Sequence, residues 1–141
     1  MTAFLVPVDG STSSLHAIDY AARQAKRCKA ILHLLNVQLP VETYGMVPAY
    51  LSPRKHRDLT MPIANTILGQ AAQRLKRTGI KCETHVVYGD IAASIVRASR
   101  RLRCEAIIMG TRGRGAIGDL LLGSIATKVT HLSRLPVTLV K

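Results

Sequence analysis

A glycine-dense stretch, residues 107–127, constrains the fold of this chain more than any other feature. An apolar run over residues 106–109 predicts a buried strand, and apolar residues at helical spacing begin again at Ile125. Glycine allows other groups to approach the backbone closely, and the first amides of a helix have no partner within the helix. The stretch is therefore shaped to hold an anion between a strand end and a helix start. The glycines between the two are Gly110, Gly113, Gly115, Gly118 and Gly123.

Two well-known phosphate-binding patterns fail on this stretch. The glycines over residues 113–118 have the dinucleotide spacing G-x-G-x-x-G, but no acidic residue follows Asp119 to hold a ribose. The glycines over residues 118–123 have the spacing of a P-loop, but Ser124 stands where that loop needs lysine. What remains is G-x-x-G over residues 110–113, then nine residues, then Gly-Ser at 123–124.

The start of the chain carries a second motif. Residues 4–8 are apolar and end on Asp9, which indicates a short strand followed by a turn. Pro7 has no amide hydrogen, so the strand is expected to end or become irregular there. Residues 11–14 offer hydroxyls that can cap a helix. Taken alone, Asp9 would be interpreted as a turn or helix-cap carboxylate.

Together, V-P-V-D-G-S at residues 6–11 and the glycine pattern resemble the ATP-binding branch of the universal stress protein family. That branch opens on V-x-V-D-x-S and carries G-2x-G-9x-G-S. The string G-D-x-A-x-x-I at residues 89–95 matches as well, so the resemblance covers essentially the whole chain. It implies a single domain over residues 1–141 with a Rossmann-like α/β fold. The expected sheet is open, five-stranded and parallel, with strand order 3-2-1-4-5 and helices on both faces.

Carried over residue by residue, the resemblance implies a site for ATP, or for AMP or ADP. Asp9 would accept hydrogen bonds from the ribose hydroxyls, and adenine would meet the backbone at Val37. Mg²⁺ would be held by phosphates and water, because the sequence offers no carboxylate cluster to enclose it. Arg112 and Arg114 either contact phosphate or solvate the loop. The remaining site residues are Pro7 beside Asp9, Met109 and Gly110 at the sugar and first phosphate, and Gly113, Gly123, Ser124 and Ile125 at the phosphates.

The net charge of +12 allows two interpretations. Basic residues cluster at 23–29, 54–57, 74–81 and 97–103, and three of these clusters fall in the last turns of predicted helices. Cations there interact favourably with the helix dipole. Alternatively, they form a surface for an anionic partner, which would make the protein a dimeric adaptor for nucleic acid, membrane or another protein.

The first function predicted is a nucleotide-dependent stress-response regulator. Hydrolysis should be slow at most, because no general base or nucleophile is arranged.

Further expectations concern assembly, location and the long connection. A strand over residues 136–140 ends the given chain and has an open edge, so a homodimer is expected through Val137–Val140. Three cysteines without a C-x-x-C motif, and no apolar run of 18 residues, favour a reduced cytoplasmic protein. Residues 38–57 are expected to form an irregular connection or lid, with the next helix starting at Asp58. His33 is interpreted as a strand histidine without ligands around it.

Overall fold

A computed structural model describes residues 1–41, 51–113 and 122–141. Its five strands form one parallel sheet in the order β3-β2-β1-β4-β5, which confirms the predicted fold class and strand order. The strands are β1 (Ala3–Pro7), β2 (Ile31–Gln38), β3 (Cys82–Tyr88), β4 (Ala106–Gly110) and β5 (Val137–Val140). The helices are α1 (Thr12–Cys28), α2 (Pro53–Lys76), α3 (Ile91–Arg101) and α4 (Ser124–Leu132).

The helices cover both faces of the sheet, α1 and α2 on one and α3 and α4 on the other. Successive residues of a strand point to opposite faces, so Leu5 packs with α3 and α4 while Val6 packs with α1 and α2. Both side chains are fully buried, which contributes about 1.5–3 kcal/mol each. This two-sided burial explains why the inner strands are apolar almost throughout.

Local signals in the sequence set the starts of three helices as predicted. The Ser11 hydroxyl accepts a hydrogen bond from the Ser14 amide (3.2 Å) at the start of α1. The Asp90 carboxylate accepts one from the Ala93 amide (3.0 Å) at the start of α3. α4 begins immediately after Gly123.

The prediction for α2 was wrong at its start, because the helix begins at Pro53 and not at Asp58. Proline fits the first turn of a helix, and the Ser52 hydroxyl caps this turn by accepting from the Lys55 amide (3.2 Å). Within α2, Ile63 is 50% exposed, whereas its neighbour Ala64 is fully buried and packs in the core. The part of the predicted lid over residues 42–50 lies outside the described residues.

All three cysteines lie within the described residues and are free, with Cys28 exposed and Cys104 buried. Of the helices that the structure describes, none combines the length and apolar character that crossing a bilayer requires.

Candidate functional site

A crevice opens between β1 and β4 because their pairing stops early. The paired residues are Phe4↔Ala106 and Leu5↔Ile107, although both strands continue. The Val8 amide donates to the Leu35 carbonyl of β2 (2.8 Å), so the nitrogen of Pro7, one residue earlier, faces β4. That nitrogen carries no hydrogen and cannot extend the ladder. Pro7 thus contributes to the separation of β1 and β4 at the point where the strand order reverses.

Asp9 and Gly113 meet across this crevice. One carboxylate oxygen of Asp9, Oδ1, accepts from the Ser11 amide (2.9 Å) and holds the turn into α1. The other, Oδ2, faces the loop after β4: a Cβ added to Gly113 would lie 3.0 Å from it. The two motifs that the sequence separates by about a hundred residues are therefore neighbours, and a side chain at residue 113 would crowd the carboxylate.

Gly110 lies on the other side of the loop's start, against the first turn of α1. A Cβ there would come within 2.8 Å of the Ser13 carbonyl carbon. The Ser13 hydroxyl donates to the Val140 carbonyl (3.3 Å) and accepts from the Arg112 amide (3.4 Å). Sequence reasoning missed Ser13, which ties α1, β5 and the loop together. The buried position of Gly110 shows a packing reason for glycine there.

A hydrogen bond joins the two ends of the loop that follows β4. The Gly123 amide donates to the Thr111 carbonyl (2.6 Å), and a Cβ on Gly123 would lie 3.2 Å from that oxygen. The amide predicted to face a phosphate is thus engaged within the chain. α4 begins directly after it, without a side-chain cap from the part of the chain that the structure describes; Ser124 is exposed and Ile125 is half-buried. Of the loop residues named from the sequence, Arg114, Gly115, Gly118 and Asp119 lie outside the described residues.

The backbone of Val37 faces the same crevice. The carbonyl of Gln38 accepts from Gly89 beyond β3, and that of Leu35 accepts from Val8 on the β1 side. Because main-chain groups alternate along a strand, those of Val37 point toward β1, which has already ended at Pro7.

Asn36, a buried polar residue in an apolar strand, fixes the end of β1 next to this crevice. Its Nδ2 donates to the Val8 carbonyl (2.8 Å), and its Oδ1 accepts from Gln38 Nε2 (2.7 Å). Sequence reasoning missed Asn36 too. Its place within an otherwise apolar run was the available signal, since a buried amide needs hydrogen-bond partners.

Met109 is 5% exposed and packs in the core between the sheet and the helices α3 and α4. Its side chain is therefore part of the fold, and only its main chain lies near the crevice. A cleft of about 570 Å³ lies beside the start of α1, on the α1 side of the loop. Among the predicted site residues it includes Gly113 alone; Ser11, Ser13, His16, Arg112 and Lys141 also line it. The exposed cations at its rim favour an anion there.

The model of the universal stress protein family matches residues 1–141. A universal stress protein of Bacillus subtilis is 29% identical over 143 residues, which span 97% of this chain and 97% of that protein. A universal stress protein of Thermus aquaticus is 31% identical over 138 residues, which span 97% of this chain and 96% of that protein.

Solved structures share the fold. Hypothetical protein MJ0577 superposes with a TM-score of 0.87 at 23% identity, over 99% of this chain and 95% of that one. A universal stress protein in complex with cAMP superposes with a TM-score of 0.74 at 26% identity, over 99% and 95%. An Arabidopsis thaliana universal stress protein family member with AMP bound superposes with a TM-score of 0.69 at 22% identity, over 100% and 92%.

Proposed function

The chain belongs to the universal stress protein family, and from this premise we propose that it binds an adenine nucleotide in the crevice between β1 and β4. The protein would act as a stress-response regulator whose contacts with partners depend on the nucleotide it holds. Two structural relatives hold cAMP and AMP, which supports an adenine nucleotide as the ligand class. We propose ATP, ADP or AMP for this chain.

The observation that carries the proposal is the approach of Gly113 to the Asp9 carboxylate. Ribose hydroxyls are donors, and a carboxylate that accepts from them forms charge-assisted hydrogen bonds. The main-chain groups of Val37 point toward β1 but lie beyond the last residue of that strand. They offer one donor and one acceptor to the edge of adenine. Pro7 contributes by keeping β1 and β4 apart.

The phosphates would lie on the other side of the crevice, at the start of α4. The amides of Ser124 and Ile125 are the first of a helix that no side chain of the described residues caps, and the positive end of the helix dipole favours an anion there. The main chain of Gly110 and Gly113 lines the approach. Because the Gly123 amide already donates to Thr111, its role in the proposal is to hold the two ends of the loop together. Mg²⁺, where present, would be held by the phosphates and water.

Isothermal titration calorimetry with ATP, ADP, AMP and GTP tests this function. Asp9→Asn keeps an oxygen for the Ser11 amide but loses the charge that faces Gly113, so we expect adenine nucleotides to bind roughly 10- to 100-fold more weakly. Asp90→Asn is the matched control, because Asp90 also caps a turn between a strand and a helix. The proposal fails if both variants bind like the parent chain, or if the parent binds no adenine nucleotide.

Hydrolysis is proposed to be slow at most. The crevice pairs a carboxylate with main-chain groups, and Asp9 is half-buried with Oδ1 already engaged by Ser11. Single-turnover assays with ATP and Mg²⁺ should therefore show phosphate release far slower than nucleotide dissociation, as a regulator that senses bound nucleotide requires. Release faster than dissociation would identify an ATPase instead.

We also propose a homodimer formed through β5. Among the strands that the structure describes, β5 is at one edge of the sheet and pairs with β4 on one side only. The Val140 carbonyl accepts from Thr111 of the loop after β4, so by alternation the amides of Val137 and Leu139 face outward. Val137→Pro removes one outward donor at the first residue of the strand, where proline is tolerated. Light scattering should show a dimer for the parent chain and a larger monomer fraction for the variant.

A basic surface favours the second candidate, an adaptor for an anionic partner. The last turns of three helices carry exposed cations, namely Lys26 and Arg27, Arg74 and Lys76, and Arg100 and Arg101. The test is binding of duplex DNA or anionic vesicles in the cytoplasmic range of salt. This function would be supported by affinity that falls steeply with salt and ignores ATP, since released counterions produce such a slope.

A further inference from the structure

Three potential metal ligands meet on the strands β2 and β3, away from the crevice. His33 is directly opposite Glu83 in the parallel register, and His85 follows two residues later on the same face as Glu83. His33 Nδ1 is 3.1 Å from His85 Nε2 and 3.5 Å from Glu83 Oε2, and His85 Nε2 is 3.9 Å from that oxygen. The sequence did not reveal this group, because its members are about fifty residues apart and only the strand register joins them.

The geometry of the three atoms suits a metal ion. A triangle with these sides has a centre about 2.1 Å from each corner, and zinc bonds to histidine nitrogen and carboxylate oxygen are about 2.0–2.2 Å long. The two imidazole rings have their centroids 5.2 Å apart and are tilted by 51°, so neither ring stacks over the other. Without a metal, the two nitrogens share one hydrogen bond.

We propose that His33, Glu83 and His85 form a binding site for a zinc-like divalent transition-metal ion. Two imidazoles and one carboxylate are ligands that Zn²⁺ takes, whereas Mg²⁺ and Ca²⁺ prefer oxygen alone. One of the two rings donates a hydrogen bond to the other. For metal binding, the proton of the donating ring can move to the other nitrogen of the same ring. Metal binding to two neutral histidines therefore requires a change of tautomer and releases no proton.

Burial and charge bear on the site in different ways. His33 is 7% exposed, while the side chains of His85 and Glu83 are 20% and 58% exposed. A metal ion could therefore enter from the Glu83 side and meet one ligand, His33, that is buried. The charges of Arg101 and Glu83 both act on His85. The positive charge of Arg101 acts against a cation, and Glu83 offsets it.

The site is separate from the nucleotide crevice. His33 and Val37 are four residues apart on β2, a distance of about 13 Å along the strand. A metal ion here would join the edge strand β3 to β2 by side-chain bonds in addition to the ladder. The expected consequence is a more stable sheet edge, with nucleotide affinity unchanged.

The test is titration of untagged, metal-stripped protein with ZnCl₂, followed by calorimetry and thermal unfolding. Cys28→Ser is used as the parent, because Cys28 is an exposed thiol that would bind zinc itself. We expect one zinc per chain and a higher Tm with zinc. Glu83→Gln and His85→Ala should each weaken zinc binding at least tenfold and remove the Tm increase. The matched controls are Glu105→Gln and His131→Ala, which change exposed residues of the same types.

Each outcome decides the proposal. It is overturned if the Cys28→Ser parent binds no zinc, or if Glu83→Gln and His85→Ala bind it as tightly as the two controls. Should His85→Ala fail to fold, Glu83→Gln decides alone, because Glu83 is largely exposed and its replacement leaves the core unchanged. Millimolar Mg²⁺ should not compete with zinc. AMP titration of the same variants separates this proposal from the nucleotide function, since AMP affinity should not change.

Discussion

Replacing Gly110 by alanine tests whether the glycine at the end of β4 is there for packing. The added methyl carbon would lie 2.8 Å from the Ser13 carbonyl carbon and 2.9 Å from Ser13 Cβ. Carbon atoms in contact are about 3.5–4.0 Å apart, so α1 and β4 must separate by roughly 0.7 Å or more. The atoms that must move belong to the first turn of α1, which the Ser11 cap holds in place.

The loss in the free energy of unfolding should fall within the range for overpacked sites, about 1–3 kcal/mol. We expect about 2–3 kcal/mol, because the obstacles are the Ser13 hydroxyl, Cβ and backbone carbonyl carbon, and because any shift also lengthens the hydrogen bonds from Ser13 to Val140 and from Arg112 to Ser13. For a chain of this length, that lowers Tm by roughly 6–12 °C.

Chemical denaturation followed by circular dichroism measures the change. Gly69→Ala is the matched control: Gly69 is exposed within α2, and a Cβ there would meet nothing within 4 Å. We expect this control to gain about 1 kcal/mol of stability, since alanine favours helix. If Gly110→Ala stays within about 0.5 kcal/mol of the parent chain, the packing argument is wrong. Loss of AMP binding without loss of stability would instead make Gly110 a ligand residue.

Three further predictions concern stability and reactivity. Arg74 donates two hydrogen bonds of 2.6 Å to Asp19 and holds its pKa below the usual 3.8, so Asp19→Asn should cost below about 1 kcal/mol at pH 7. A depressed folded-state pKa gives stability that is lost as pH falls, and this difference should vanish near pH 2 in urea titrations. Burial raises the pKa of Cys104 to about 11, so a thiol reagent should label Cys28 at once and Cys104 only on unfolding, as mass spectrometry would show. Pro62→Ala, within the exposed side of α2, should raise the free energy of unfolding by up to about 3 kcal/mol, and a decrease would show that the helix is adapted to proline.

Fold class was accessible from the sequence because its strongest signals are local. Pro7 marks the end of β1, Ser11 and Asp90 mark helix starts, and each acts within a few residues. Strand order came from the family resemblance, to which those local motifs gave access. The approach of Asp9 to Gly113 then follows from the order, since β1 and β4 are neighbours and both motifs come after their strands.

Part of what the sequence analysis missed was a local signal, and the rest depends on contacts between distant segments. α2 begins early because Ser52 and Pro53 together make a good helix start, and the buried His56 gives that turn a partner in the Leu39 carbonyl (2.8 Å). The sequence does not predict that a polar helix residue is buried when its hydrogen-bond partner lies in another segment. The same reason hides Asn36, whose partner is the Val8 carbonyl.

Most of the positive charge of the chain should have little influence on nucleotide affinity, because three of the four basic clusters lie at the C-terminal ends of helices. The fourth, residues 54–57, lies at the start of α2. α1 has 17 residues and is about 25 Å long, so Lys26 and Arg27 in its last turn are more than two Debye lengths from its start at 0.1 M salt. Arg112, in contrast, lines the cleft beside Gly113. We therefore expect the double change of Lys26 and Arg27 to Gln to leave the Kd for ATP unchanged. Arg112→Gln should raise it roughly 3- to 10-fold at low salt and less at high salt, if the Arg112 side chain contacts phosphate. Equal effects of the two variants would mean that the field of the whole molecule, and not this local cation, attracts the nucleotide.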